Sequence, residues 1–280
     1  MDLTAVANHA QSIRHNIIDM IHEAGSGHPG GSLSAADIMA ALYFGGIVEY
    51  DSTHPDDPDR DRVIMSKGHA APALYATLAE AGYIAKEELK TLRKLGTRLQ
   101  GHPDSNLVPG VEVSTGSLGQ GLSIAAGLAA GLKLDKSSHH VYAVLGDGEC
   151  EEGQVWEAAT FAAFNELNNL IAIVDQNGLQ IDGPVMEVCE VGSLCDKFKA
   201  FGWDVHEVDG HDLQALITTL QACKDTTSTK PQVVIAATIK GKGVSFMENQ
   251  AGWHGKAPND EEYAVAMEDL KKAGEALCQK

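Results

Sequence analysis

Basic residues are scarce in this 280-residue sequence: 21 Lys and Arg stand against 39 Asp and Glu, a formal net charge of −18. A surface that negative repels nucleic acid and anionic lipid, so neither is expected as a partner. Cysteine is sparse too. The five residues (Cys150, Cys189, Cys195, Cys223, Cys278) form no C-x-x-C pair and no metal-ligand spacing. An odd, scattered set reads as reduced thiols rather than a disulfide framework. Long apolar runs are missing: the stretch from Gly127 to Leu134 is broken by Lys133 and Asp135, too short to span a membrane. Met1-Asp2-Leu3-Thr4 lacks the basic segment and apolar run of a secretion signal, so a cytoplasmic protein is expected. No internal repeat or low-complexity segment occurs.

What is present is a sizeable apolar fraction, 44%, with 29 glycines, enough for one large α/β domain. Val6, Ile13, Ile17, Met20 and Ile21 have helical spacing over residues 4–23, ending at the glycine-rich stretch 25–31. Ser34 is placed to N-cap a second helix through Ile38, Met39 and Leu42. Residues 51–61 read as a polar loop, followed by a short strand at 62–65 and a helix through Leu74, Leu78 and Gly82. Continuous apolar runs follow at 141–145, 170–174, 203–208 and 233–238, with helical patterns at 156–167, 191–201 and 212–224. Unbroken apolar strands separated by helices predict a mostly parallel sheet with helices on both faces. Residues 1–240 form the α/β domain, and 241–280 add a glycine-rich loop and a charged helix at 260–278 belonging to the same domain.

Ligands of such sheets bind at the carboxyl ends of strands. One strand ends in Gly146-Asp147-Gly148, the next in Asp175-Gln176-Asn177-Gly178-Leu179. Neighbouring parallel strands bring the Asp147 carboxylate and the Asn177 carbonyl close together. Hard oxygen ligands beside a helix N-terminus suit Mg²⁺ holding a diphosphate, since Mg²⁺ takes one or two carboxylates and completes its octahedron with phosphate and water. The plainer alternative makes Asp147 a helix cap and Asn177-Gly178 a turn.

Asn177 lies 30 positions after Asp147, and Gly146-Asp147-Gly148 with that Asn resembles the thiamine diphosphate motif. The intervening Glu151-Glu152-Gly153-Gln154-Val155-Trp156-Glu157-Ala158 is similar to the transketolase family. Ser26-Gly27-His28-Pro29-Gly30, Ser66-Lys67-Gly68-His69-Ala70, Gly101-His102-Pro103, Gly116-Ser117-Leu118-Gly119-Gln120-Gly121 and Trp253-His254-Gly255 occur in the transketolase order. Each motif is weak alone; together they cover nearly the whole chain. Position 117 departs from the family's more usual proline, which bears only on the rigidity of that loop.

The resemblance implies thiamine diphosphate and Mg²⁺ as cofactors. It makes Asp147, Asn177 and the Leu179 carbonyl the metal ligands, and gives the Gly148 amide to the diphosphate. Gly116, Leu118, Ile181, Asn177, Glu152, His69 and His254 become cofactor contacts, with Ile181 against the thiazolium. Catalytic roles fall to His28, His69, His102, His254 and Glu152; imidazoles move protons near neutral pH, as carbonyl chemistry requires. Glu152 corresponds to a carboxylate reaching across a subunit interface. His9, His15, His22, His54, His139 and His140 read as surface histidines. Asp212 reads as the cap of a helix starting at 213, and Lys67 and Lys242 as solvated or loop-bracing.

The implied activity is transfer of a two-carbon ketol unit from a ketose phosphate to an aldose phosphate. Family members carry two further domains, one of which supplies the glutamate that activates the cofactor. Residues 247–256 resemble the branch in which the halves are separate chains. The expected partner is therefore a C-terminal transketolase subunit, in a heterotetramer, with this chain inactive alone. The alternatives are a related thiamine enzyme such as deoxyxylulose phosphate synthase, a transketolase for another sugar, or a regulatory homologue without catalysis.

Overall fold

The computed structural model describes residues 2–277. Helix α1 (Leu3–Ala24) starts at Asp2, whose carboxylate accepts from the Thr4 and Ala5 amides, and ends at Gly25 with φ 60°. A left-handed residue in that position is a common helix terminus, and glycine takes it without strain. The glycine-rich stretch is only partly a loop. Pro29 sits in the first turn of α2 (Pro29–Ser34), where its missing N–H costs nothing. Ser34 is not the expected cap: it ends α2, and Ala35 precedes α3 (Ala36–Phe44). Its hydroxyl donates instead to Asp175 at 2.5 Å, a tertiary bond that local patterning does not reveal.

After the polar loop come β1 (Arg62–Met65), α4 (Ala71–Glu80), α5 (Gln120–Leu134), β2 (Val141–Gly146), α6 (Gly153–Phe164) and β3 (Leu170–Gln176). A two-residue hairpin, β4 (Leu179–Gln180) with β5 (Gly183–Pro184), leads into the short α7 (Val185–Val188) and α8 (Leu194–Ala200). The rest is β6 (Asp204–Asp209), α9 (Leu213–Lys224), β7 (Gln232–Ala237) and α10 (Asp260–Leu277). Five strands pair in parallel in the order β1-β2-β3-β7-β6. All their carboxyl ends therefore lie along one edge.

Alternate residues of the central strands feed two separate cores. Tyr142, Val144, Ile171 and Ile173 pack with α1, α3, α4 and α9; Val141, Ala143, Leu145, Ala172 and Val174 pack with α5, α6 and α8. Both faces are covered, which explains why these strands read as unbroken apolar runs. The sheet has helices on both faces, as the sequence predicts. Helix α10 lies on α1, where Tyr263 Oη donates to Asp19 at 3.0 Å and its ring stacks on His22. No helix among the described residues is long and apolar enough to cross a membrane. His139 and His140 are not surface groups. The His139 side chain is 11% exposed, among the carboxylates of Glu49, Asp59 and Asp61, and His140 is half-buried beside it.

Candidate active site

Four strand ends converge. From β1 comes Ser66-Lys67, from β2 Asp147, from β3 Asp175 and Asn177, and from β7 Thr238 and Lys240. Between them lies a cavity of about 320 Å³ whose lining includes Gly31, His69, His102, Gly116, Leu118, Gly148, Glu152, Asn177, Leu179, Ile181 and His254. His28 packs on its wall, with ring centroids 5.5 Å from His69, 5.5 Å from His254 and 6.2 Å from His102. Residues from widely separated segments thus meet at one edge of the sheet.

Asp147 is buried. Its carboxylate accepts from the Gly148 amide at 2.9 Å and the Gly178 amide at 2.6 Å. Burial dominates those donors and raises it to about 6, with Asp175 adding to the rise. Asn177 Oδ1 accepts from the Leu179 amide at 3.1 Å. The Leu179 carbonyl faces Lys240 Nζ at 3.0 Å. Asp147 therefore orders the Gly148 turn, as the cap reading has it, and also holds the Gly178 amide that follows Asn177.

Histidines here are held neutral. Burial, reinforced by Lys67, His254, His28 and Lys240, lowers His69 to about 2. Burial with Arg93, His102 and Lys240 lowers His28 to about 4, and burial with Lys240 and His28 lowers His254 to about 4. His102 is lowered by burial and by Arg93. A cationic surround disfavours the imidazolium in each case.

Bare backbone defines the walls. A Cβ on Gly31 would come 3.3 Å from His69 Nε2, and one on Gly116, at φ 143°, would come 2.9 Å from the His102 ring. Leu118 and Ile181 are 37% and 64% exposed at the mouth, where Glu152 is also exposed.

Three supporting residues carry no role in the sequence reading. Lys240 is buried, donates to Leu179 O and to His254 Nδ1 at 3.1 Å, and is lowered to about 8 by burial and Lys67. Asp175 is fully buried, yet stays below the usual carboxylate range: burial alone would raise it, and Lys67, Ser34 and Thr238 outweigh that. Glu149, raised by burial, accepts from Ser66 and from the Gly119 and Gly146 amides, pinning the 116–121 loop to the end of β2. Each sits at or beside a strand end, which is the signal that could have found them. Lys67 is buried rather than solvated, and braces by donating to Gly31 O at 2.8 Å and to Asp175. Lys242 lies outside this cavity, 3.7 Å from Glu248.

Comparison with known proteins bears on this arrangement. A family model described as transketolase, thiamine diphosphate binding domain, matches residues 6–273. The chain is 42% identical to a 6-deoxy-6-sulfo-D-fructose transketolase subunit of Clostridium sp., over 95% of this chain and 96% of that one. It is 41% identical to an apulose-4-phosphate transketolase subunit of Phocaeicola vulgatus, over 99% and 98%. Human transketolase is 44% identical over 91% of this chain but only 40% of its own length. The crystal structure of Campylobacter jejuni transketolase superposes with a TM-score of 0.91 at 33% identity, covering 97% of this chain and 43% of that one. The chain belongs to the transketolase family and corresponds to its thiamine diphosphate-binding domain.

Proposed function

We propose that this chain is the diphosphate- and Mg²⁺-binding subunit of a two-chain transketolase acting on sugar phosphates. The observation that carries the reading is the single cavity uniting Asp147, Asn177, Leu179, Gly148 and the imidazoles of His69 and His254.

The donor set fits the cofactor. One carboxylate, one amide oxygen and one backbone carbonyl, with room for phosphate oxygens, match Mg²⁺ preference. No group of three or more His, Cys, Asp or Glu side chains able to hold a metal occurs among the described residues, which disfavours a zinc-type centre instead. The rise of Asp147 marks a buried carboxylate short of positive charge, which a divalent cation would supply. In this reading Asp147, Asn177 and Leu179 O hold Mg²⁺, and the Gly148 amide and His69 meet the diphosphate. Gly116, Leu118 and Ile181 flank the rings. When bound, thiamine diphosphate supplies the electron sink for breaking a carbon–carbon bond beside a carbonyl. The chain's own part is to hold neutral imidazoles around the sugar: His28, His102 and His254 exchange protons with its oxygens, and their neutrality lets each donate or accept.

The exposed Leu118 and Ile181 at the mouth support a partner that covers the site, with Glu152 facing it. We take this partner to be a chain carrying the two domains that lie outside the matched part of full-length transketolases, in a heterotetramer. The described part of residues 241–280, up to Leu277, belongs with the main domain in this reading, supported by the Gly241 amide on Gly30 O at 2.9 Å; residues 278–280 lie outside the described residues.

The test is ketol transfer from xylulose 5-phosphate to ribose 5-phosphate with Mg²⁺ and thiamine diphosphate, using this chain alone and with its partner. 6-Deoxy-6-sulfo-D-fructose and apulose 4-phosphate serve as alternative donors, after the relatives' names. Activity confined to the mixture is expected. Full activity of the chain alone overturns the two-chain reading. Loss of Mg²⁺-dependent cofactor binding in the mixture overturns the cofactor assignment.

A further inference from the structure

Arg93 has no part in the reading above, yet it reaches the cavity wall. Its backbone has φ 58°, a left-handed conformation that side chains other than glycine rarely adopt. Its amide donates to Leu99 O at 2.9 Å, closing the turn 93–99. From there the guanidinium donates to His28 Nδ1 at 3.3 Å, Gly101 O at 3.3 Å and Ser26 Oγ at 3.4 Å. Its Nε is buried without a hydrogen-bond partner among the described residues. A Cβ on Gly101 would fall 2.7 Å from Arg93 Cζ, so the bare backbone there is what admits the guanidinium. Backbone strain beside a site, held in place by its surroundings, is where a functional reason is sought.

A guanidinium only donates. Its contact with His28 therefore requires a lone pair on Nδ1, and the single proton of the neutral ring must sit on Nε2. Facing that ring are the imidazoles of His69, His102 and His254, with Lys240 beyond them. His254 shows the same pattern from another cation, since Lys240 Nζ donates to its Nδ1 at 3.1 Å. Among the described residues, the charged groups that shift His28 are Arg93, His102 and Lys240, and each of them opposes the imidazolium.

We propose that Arg93 is a positioning residue that fixes His28 as the neutral Nε2–H tautomer, so that this ring meets a sugar oxygen as a donor. The sugar rests on the proposed function; the tautomer does not. A donor at this point suits a hydroxyl or carbonyl oxygen that gains negative charge as a bond beside it breaks, the situation general acids serve.

Long-range ¹H–¹⁵N spectra of the labelled, cofactor-free chain near pH 7.5 read the tautomer directly. The wild type is expected to show His28 protonated on Nε2 alone. Arg93→Met should give mixed tautomers and move the His28 titration midpoint upward, because a cation that opposes the imidazolium has gone. His254, bonded to Lys240, is the internal reference and should keep its tautomer. Arg93→Lys restores the charge and should return the midpoint toward wild type. A wild-type His28 protonated on Nδ1 overturns the proposal, and this measurement stands even where the Met variant fails to fold. An unchanged His28 signal in a folded Arg93→Met chain overturns it as well. With the partner and sugar phosphates added, kcat/KM should fall at least about tenfold in Arg93→Met with cofactor affinity unchanged, the loss ascribed to one general acid being larger still. Complete absence of ketol transfer in the wild-type mixture would defeat the proposed function and leave the tautomer result intact.

Discussion

At the scale of single residues, Asp147 and His69 illustrate opposite effects of burial. Asp147 is raised to about 6 by burial, with Asp175 adding to the rise, and its two amide donors offset this only in part. Replacing it with Ala should abolish Mg²⁺-dependent thiamine diphosphate binding in a calorimetric titration, while circular dichroism stays native. Retained cofactor binding would remove Asp147 from the proposed metal ligands. His69 is lowered to about 2, so between that value and 6.5 the unfolded chain binds a proton that the folded chain refuses. Stability contributed by neutral His69 is therefore full above 6.5 and declines as the pH falls. At pH 5 the loss is about 2 kcal/mol by linkage. Urea unfolding at pH 7.5 and 5 should show that fall, and a smaller one in His69→Gln, which cannot take up a proton. These shifts arise from burial and from neighbours distant in sequence. The Gly-His pairs were legible in the sequence; their neutrality was not.

Elements are tied to the site by buried ion networks. Arg14 of α1 donates to Asp37 of α3 at 3.0 and 2.5 Å, and His211 Nδ1 donates to the same carboxylate at 2.6 Å. His211 Nε2 in turn accepts from the Ile239 amide at 2.9 Å, beside Lys240. Burial alone would raise Asp37, but Arg14 and His211 hold it at about 2. Its contribution is thus present above 3.8 and lost as pH falls toward 2. Asp37→Ala leaves Arg14 buried without its partner and should cost about 3–5 kcal/mol, read from chemical denaturation. A cost below about 1 kcal/mol would mean that the network adds little. Asp212 caps α9 as its sequence suggests, accepting from the Ala215 amide at 3.0 Å. Its neighbour His211 escaped that local reading because its partners come from α3 and the end of β7. Close packing constrains glycines likewise: a Cβ on Gly68 would lie 2.6 Å from the Gly116 amide. Gly68→Ala should push back the 115–121 loop, weaken cofactor binding and cost about 1–3 kcal/mol of stability.

For the whole molecule, the parallel sheet gathers four strand ends on one edge, and a ligand held there stabilises by mass action. Thiamine diphosphate with Mg²⁺ at about one hundred times its dissociation constant should add about 2.7 kcal/mol, seen as a rise in melting temperature. Chelating the metal should reverse the rise, and the Asp147→Ala chain should show none. The partner should tighten cofactor binding if the exposed mouth at Leu118 and Ile181 is covered by it. An identical shift with and without partner would place the whole cofactor site within this chain.

The α/β class, the strand positions and the loop motifs could be read from the sequence because they rest on local physics. Apolar runs bury a strand on both faces, helical spacing buries one stripe, and ligands gather where strands end. Val141–Leu145 and Leu170–Val174 became neighbours as that pattern requires. Only the tertiary structure decided that Ser34 bonds to Asp175, that Lys67 and Lys240 are buried, and that Arg93 reaches His28. Such contacts span from 65 to 141 positions between hydrogen-bonded partners, and no local periodicity encodes them. The buried charge of Lys67 declares itself only when its counter-charge, Asp175, arrives from the end of another strand.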